Sequence, residues 1–155
     1  SLAIELNNVV KEYPGIVALK GINLKVKKGS IHGFLGPNGA GKSTTMSIIA
    51  GLIPPTSGEV LIGGIDALKE EKKVKSMIGI LPETPPLYMN MKVVDYLKFC
   101  QKINLLETRP IDEIMSKCGL NEVAHRLIGN LSKGFKQRVG MAQALVYGAE
   151  TIILD

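Results

Sequence analysis

The residues with the clearest chemical meaning form the stretch GPNGAGKST, which spans Gly36–Thr44. It fits the pattern G-x-x-x-x-G-K-[ST] and lies between a strand-like and a helix-like stretch, which is the context that this motif requires. Its glycines permit positive φ angles and close approach of the backbone, so that successive N–H groups can point into one concavity. The start of the following helix adds a partial positive charge. The stretch therefore predicts a loop that holds the phosphates of a nucleoside triphosphate.

Two side chains of this loop have separate predicted roles. Lys42 can reach the β and γ phosphates, which makes it the predicted catalytic residue, and the Ser43 hydroxyl can ligate Mg²⁺. The predicted nucleotide-binding residues of the loop are Gly36, Pro37, Asn38, Gly39, Ala40, Gly41, Lys42, Ser43 and Thr44. The loop predicts the ligand but not the reaction, because ATP synthase subunits, helicases, kinases and GTPases all carry it.

A second stretch that can bind an anion is LSKGFKQRVGMAQAL, Leu131–Leu145. A serine hydroxyl and glycine-permitted amides at a helix N-terminus make a place for an anion, so Ser132 and Gly134 are candidate anion contacts. Taken alone, the turn at residues 131–135 also fits an ordinary N-cap. Its position between a phosphate loop and a final strand that runs into Asp155 favours the anion site, because buried parallel strands usually deliver such an acid to a site.

The strands that must position these motifs follow from the alternation of apolar and polar residues. Ala3–Tyr13 and Val17–Ser30 alternate and are separated by turn signals, which predicts β structure. Ile31–Gly36 is a short apolar strand that enters the glycine-rich loop. Ser57–Gly64 and Ile78–Leu81 predict further strands.

Helices are predicted from apolar spacing and from their termination signals. They cover residues 41–50, the stretch VVDYLKFCQK, the stretch IDEIMSKCG and residues 133–146. In the first helix Met46, Ile48 and Ile49 are expected to face inward, and Gly119 suits the C′ position of the third. Strands, then helices, then one last strand predict an α/β core with a helical insertion.

Composition and charge limit the class of protein. The chain has 155 residues, a formal net charge of +5 and 45% hydrophobic residues, which fits one globular domain. No run reaches the roughly 18 apolar residues of a membrane span, and the N-terminus lacks a signal-peptide pattern. The lysines are scattered without a basic aromatic stripe, so no nucleic acid partner is expected. Cys100 and Cys118 form no CxxC pair and are expected to be reduced packing residues in a cytosolic protein.

The motifs together resemble the ATP-binding cassette (ABC) subunits of membrane transporters, over the whole chain from Ile4 to Asp155. The family signature reads LSGGQ, and this chain reads LSKGF, so Lys133 replaces a glycine and Phe135 replaces a glutamine. LPE together with LSKGF-x-QR is similar to the subset that serves exporters with separately encoded membrane subunits. The resemblance implies an α/β fold with a P-loop NTPase cassette core, an N-terminal antiparallel β subdomain and a helical insertion, incomplete at the C-terminus.

The resemblance also implies a division of this single truncated cassette. Residues 1–82 would form the β subdomain and the P-loop core, and residues 83–147 the helical subdomain with the signature. Residues 148–155 would form the Walker B strand that returns to the core.

Several site roles are implied by the resemblance alone. Tyr13 would stack on adenine, although a half-buried strand tyrosine is the alternative. Asp155 would hold Mg²⁺ through water, with Ser43 as the other protein contact. Glu83 stands where the family has a glutamine; its carboxylate can ligate Mg²⁺ but would repel an unshielded γ-phosphate. Ser132, with Gly134, would close over the γ-phosphate of ATP in the opposite subunit.

The resemblance further implies that a general-base glutamate and a later histidine lie beyond Asp155. The 155-residue chain is therefore expected to bind nucleotide with negligible turnover. In the family the strand that leads to this histidine lies between the Walker A and Walker B strands. Ile31–Leu35 and Thr151–Leu154 are therefore expected not to pair directly.

The implied function is that of an ABC transporter's nucleotide-binding subunit, which uses Mg²⁺ and ATP to drive export. Its implied partners are a second cassette, in a homodimer or pseudo-dimer, and an integral membrane permease, which places it on the cytoplasmic face of the membrane. Leu87, Tyr88, Met89 and Met91 would suit a socket for the permease, which requires several to be exposed; they equally fit a helical core. The alternatives are a soluble cassette ATPase acting on ribosomes or DNA repair, a P-loop kinase, and a noncatalytic nucleotide-binding module.

Overall fold

Alternating apolar residues place one face of the N-terminal strands in a core. The computed structural model describes residues 1–30, 33, 41–103 and 109–154. Most of the predicted strand Ile31–Leu35, the loop residues Gly36–Ala40, and Asp155 lie outside the described residues. The described chain divides into two compact units, Ser1–Met77 and Ile78–Asp155.

The elements of the first unit are β1 (Leu2–Tyr13), β2 (Ile16–Lys27), α1 (Lys42–Ile49), β3 (Ser57–Ile62), β4 (Ile65–Asp66) and α2 (Glu71–Met77). Its strands form an antiparallel sheet with the order β2-β1-β3-β4, which confirms the predicted N-terminal β subdomain. In β1, Ile4 and Leu6 are buried in alternation, and a register shift between Leu6 and Val9 keeps Val9 buried as well. Asn8, within that shift, has a positive φ of 48°, which matches the type of β-bulge whose first residue is left-handed.

The second unit is mainly helical. Its elements are β5 (Ile78–Leu81), α3 (Val93–Ile103), α4 (Ile111–Lys117), the 3₁₀ turns Asn121–Val123 and Ile128–Asn130, α5 (Lys133–Val146) and β6 (Thr151–Leu154). β5 and β6 pair in parallel, with Leu81 opposite Leu154. One hydrophobic cluster joins α3, α4 and α5, and its most buried members include Val93, Leu97, Ile114, Leu120, Ile128, Val139 and Ala142.

Most of the predicted helices are confirmed. α5 has the predicted bounds, and Gly119 follows α4 with a φ of +65°. The inward face of α1 differs from the prediction, because Ile48 and Ile49 are buried but Met46 is only partly buried. Thr45 is buried instead, since its hydroxyl donates to the Gly41 carbonyl at 2.8 Å and so carries no unsatisfied polar group into the core.

Helix α2 was not predicted from the sequence. Val74 is its only fully buried residue, so its apolar signal is weak, and an exposed ion pair between Glu71 and Lys75 at 2.6 Å spans one turn. Within the described ranges no helix is long and apolar enough to cross a membrane.

Candidate nucleotide-binding site

Helix α1 begins at the place that the phosphate-loop motif predicts. Gly41 is its N-cap and has left-handed backbone angles, with φ 85° and ψ 6°. A Cβ at this position would lie 2.6 Å from Leu19 Cδ2 and 3.0 Å from the Ala18 carbonyl oxygen. Both the backbone angles and the close approach therefore require glycine, and they fix where the helix starts relative to β2.

The first turn of α1 carries the described part of the loop. Lys42 and Thr44 are partly buried and Ser43 is exposed. No side chain within the described ranges caps this helix, and its first turn holds no acidic residue. The partial positive charge of the helix start is therefore not offset by a carboxylate of its own turn, which favours an external anion such as phosphate.

Tyr13 is the last residue of β1 and is 45% exposed. The Lys11 ammonium lies 5.2 Å from its ring centroid and also donates to the Pro54 carbonyl at 2.7 Å. The lysine is thus anchored beside the ring, a contact that the sequence analysis missed. Because the ring remains accessible to a ligand, the stacking of adenine on Tyr13 stays a prediction.

The signature turn at residues 131–135 has the geometry of a helix N-cap. The backbone N–H of Phe135 donates to Ser132 Oγ at 3.2 Å, and the N–H of Lys136 donates to the Ser132 carbonyl at 2.9 Å. The N-cap interpretation of this turn is therefore confirmed. It is compatible with an anion site, because the hydroxyl accepts this bond and still has its own proton to donate.

The signature turn is also open to the outside of its unit. Leu131 is buried below it, whereas Ser132, Lys133 and Gly134 are exposed. Phe135, which replaces the family glutamine, packs against the helical core. The turn is thus anchored by the buried side chain of Leu131, and its exposed residues are accessible to another molecule.

Arg138 holds the start of α5 against α4. Its guanidinium lies 5.0 Å from the ring centroid of Phe135 and donates to the Gly119 carbonyl at 3.4 Å. Phe135 therefore contributes packing against the helical core and a cation–π contact, and a glutamine has no aromatic ring for the second of these.

Glu83 and Lys133, the two charged departures from the family pattern, form an ion pair with each other. Lys133 Nζ lies 2.6 Å from Glu83 Oε1, and Gln137 Nε2 donates to the Glu83 carbonyl at 3.2 Å. The hydrogen bond from Lys133, helped by its charge, lowers the pKa of Glu83. The carboxylate is therefore ionised and already engaged. Its predicted role as a Mg²⁺ ligand stays a prediction.

The segment predicted to be a permease socket is partly exposed. Tyr88 is 58% and Met89 39% exposed, whereas Leu87 and Met91 are partly buried against the helical core. The socket interpretation required exposed residues here, and two of its four members meet that requirement.

Backbone hydrogen bonds fix this segment in place. The N–H groups of Gly129 and Ile128 donate to the carbonyls of Met89 and Met91, both at 2.9 Å. The Tyr88 ring lies 5.8 Å from the ring of Tyr96 and 5.7 Å from that of Phe99, measured between centroids. The exposed side chains thus belong to a segment whose backbone is hydrogen-bonded to residues 128–129.

The predicted metal ligands are only partly described. Ser43 is the second residue of α1 and Glu83 follows β5, whereas Asp155 lies outside the described residues. The described ranges contain no group of three or more His, Cys, Asp or Glu side chains that could hold a metal ion. A hydroxyl and carboxylates are nevertheless the oxygen donors that Mg²⁺ prefers, so these residues fit that ion in type.

Comparisons of the sequence and of the structure with known proteins point to the same family. The sequence profile described as ABC transporter matches residues 19–155. The bacitracin transport ATP-binding protein BcrA of Bacillus licheniformis is 38% identical, and the match covers 100% of this chain and 51% of BcrA. The linearmycin resistance ATP-binding protein LnrL of Bacillus subtilis is also 38% identical, with 98% of this chain and 50% of LnrL covered. The chain thus spans about half the length of these curated relatives.

A solved structure shows the same fold. The structure of cbiO1 from Clostridium perfringens, part of the ABC transporter complex cbiONQ, superposes with a TM-score of 0.85 at 27% identity. The superposition covers 99% of this chain and 65% of cbiO1. The fold and the profile match over most of the chain agree, and this chain belongs to the ABC transporter family.

Proposed function

We propose that this chain is the nucleotide-binding part of an ABC transporter's ATP-binding subunit. The observation that carries the proposal is the start of α1: Gly41 in left-handed conformation begins the helix at Lys42 of the sequence GPNGAGKST, with no carboxylate in the first turn. This geometry suits triphosphate binding by residues Gly36–Thr44, with Lys42 on the β and γ phosphates. ATP hydrolysis is proposed for the natural full-length protein.

Mg²⁺ is the second proposed ligand. Ser43 and Asp155 would hold it, with the Glu83 carboxylate as the third proposed oxygen donor, and the ion would neutralise charge on the phosphates. The oxygen chemistry of these side chains supports this choice.

A second cassette is the proposed partner at the nucleotide. Ser132 and Gly134 of one copy would close over the ATP held by the other copy, in a homodimer or pseudo-dimer. The exposure of the signature turn and the unused proton of the Ser132 hydroxyl support this arrangement.

An integral membrane permease is the proposed partner at the socket segment, Leu87–Met91. Exposed Tyr88 and Met89 on a backbone fixed by hydrogen bonds support this role. The subunit would then lie on the cytoplasmic face of the membrane. In this proposal residues 1–82 are the β subdomain and P-loop core, 83–147 the helical subdomain, and 148–155 the returning strand.

The relatives favour transport over work on ribosomes or DNA repair. BcrA and LnrL are named for bacitracin transport and linearmycin resistance, and the similar YbhF of Escherichia coli, 35% identical, is named a probable multidrug ABC transporter protein. The match with YbhF covers 98% of this chain and 27% of YbhF. Export by a complex with a membrane subunit is therefore the proposed activity of the whole protein.

The test is ATP binding by the full-length protein, measured calorimetrically with and without Mg²⁺. We expect Lys42→Ala to weaken binding by at least tenfold, because the ammonium contacts the phosphates, and EDTA to weaken wild-type binding. The matched control is Lys72→Ala, an exposed lysine of α2, which should bind like the wild type. Equal affinities for wild type and Lys42→Ala would overturn the proposal.

A further inference from the structure

The Glu83–Lys133 ion pair joins two positions where this chain departs from the pattern of its family. One departure adds a negative charge and the other adds a positive charge, and the two charged atoms lie 2.6 Å apart. Because each charge neutralises the other, the pair introduces no net charge at the signature turn. The two substitutions are thus explained together and not separately.

One face of α5 contacts the segment around Glu83. Lys133 binds the carboxylate, Gln137 binds the Glu83 carbonyl, and Gly140 lies where a Cβ would be 2.5 Å from Leu81 Cδ1. These positions are four and then three residues apart, so they lie along one side of the helix. Glu83 is therefore held at a defined place beside the helix start.

The positive charge of Lys133 is unfavourable at its position in α5. Lys133 is the first residue of α5, whose first turn contains no acidic side chain, and a cation is unfavourable at a helix N-terminus. Glu83 supplies from outside the helix the negative charge that this turn lacks. In the free chain the Glu83 carboxylate is thus the anion at this turn, where the proposed function puts a phosphate.

Lys133 can leave Glu83 for another anion at little cost in free energy. The side chains of Lys133 and Glu83 are 65% and 71% exposed, and water screens exposed pairs so that they add little to stability. A Mg²⁺-bound triphosphate offers more negative charge and more acceptor oxygens to the lysine than one carboxylate does.

We propose that Glu83 is a positioning residue that holds Lys133 at the start of α5 until the triphosphate carried by a second copy displaces it. The proposal rests on the proposed function, since it assumes that the signature turn meets nucleotide in a dimer. Glu83 then competes with nucleotide for Lys133. The free subunit keeps the lysine ordered, and dimer closure requires the ion pair to open.

The test is dimerisation of the full-length protein in the presence of Mg²⁺ and the nonhydrolysable analogue AMP-PNP, measured by analytical ultracentrifugation. Glu83→Gln removes the competitor, so we expect the dimer Kd to fall about threefold to tenfold. Lys133→Met removes the phosphate contact, so we expect the Kd to rise at least tenfold. Lys133→Arg keeps the charge and should stay within about threefold of the wild type.

A matched control is available in the same unit. Glu113 and Lys117 of α4 form another exposed ion pair, at 3.3 Å. Glu113→Gln and Lys117→Met should leave both the dimer Kd and the melting temperature unchanged. Melting temperatures of the Glu83 and Lys133 variants close to the wild-type value exclude misfolding as the cause of an altered Kd.

The outcomes separate this inference from the proposed function. A wild-type protein that binds nucleotide and dimerises, with a Glu83→Gln variant that dimerises no more tightly, overturns the inference alone. A Lys133→Met variant with unchanged Kd also overturns it, because the lysine then touches no phosphate. A wild-type protein that neither binds AMP-PNP nor dimerises overturns both.

Discussion

Gly140 of α5 lies against Leu81 of β5 so closely that a Cβ at position 140 would be 2.5 Å from Leu81 Cδ1. The same atom would be 3.2 Å from Pro85 Cβ, which is part of the chain segment that follows Glu83. The absence of a side chain therefore sets the distance between α5 and the residues that it holds.

We expect Gly140→Ala to lower the free energy of unfolding by about 1–2 kcal/mol, because overpacking outweighs the helix propensity that alanine gains. Urea denaturation of the full-length protein measures the change. Gly134→Ala in the same helix is the control, since its Cβ would meet no atom closer than Ser132 Oγ at 4.0 Å. Equal stabilities of the two variants would contradict the close contact.

A second prediction concerns the glycine that begins α1. Gly41→Ala should reduce ATP affinity by at least tenfold, because a Cβ clashes with Leu19 and the left-handed backbone at φ 85° disfavours alanine. Gly15→Ala is the control for backbone strain alone, because Gly15 has a φ of 78° with no atom within 4 Å of the added Cβ. Calorimetric titration with ATP compares the two variants, and similar affinities would argue against the clash.

The Ser132 hydroxyl caps α5, and the phosphate contact proposed for it can be tested separately from that cap. Ser132→Ala removes the cap on the Phe135 N–H and should cost about 1 kcal/mol of stability, together with nucleotide-dependent dimerisation. Ser132→Asp restores a good cap but sets a negative charge where a phosphate is proposed to bind. We expect this variant to melt like the wild type and yet fail to dimerise with AMP-PNP. Dimerisation of the aspartate variant at wild-type strength would exclude a phosphate contact at this turn.

The socket segment gives a prediction about membrane association. Met89→Glu places a charge on an exposed apolar side chain of the proposed permease surface, so the fraction of full-length protein that sediments with native membranes should fall severalfold. ATP affinity should not change. Leu68→Glu, at an exposed leucine of the first unit, is the control and should sediment like the wild type. A Met89→Glu protein that remains on the membrane would place the permease contact elsewhere.

Cys118 provides a pH-dependent prediction. Burial raises the pKa of its thiol, so the reactive thiolate is scarcer at pH 7 than in an exposed cysteine. The native protein should therefore react with Ellman's reagent more slowly than the urea-unfolded protein at Cys118, and the native rate should rise as the pH passes above the ordinary thiol range. Comparison of wild type with Cys118→Ser assigns the signal. Equal rates in the native and unfolded protein would contradict the effect of burial.

The sequence by itself determined the local features. Helix α5 was predicted with its observed bounds, and Gly119 was predicted as the residue that ends α4, because caps and apolar spacing act within a few residues. The phosphate-loop motif likewise predicted the start of α1. Helix α2 was not predicted. Only Val74 of this helix is fully buried, so its sequence shows no helical spacing of apolar residues.

Only the tertiary structure decided which distant residues meet. Glu83 and Lys133 are 50 positions apart, and no local sequence pattern indicates that these two departures from the family signature contact each other. Their pairing depends on how α5 packs against β5, where Gly140 closely approaches Leu81. Periodicity and capping report contacts along one helix or strand, whereas a contact between elements depends on the path of the chain between them.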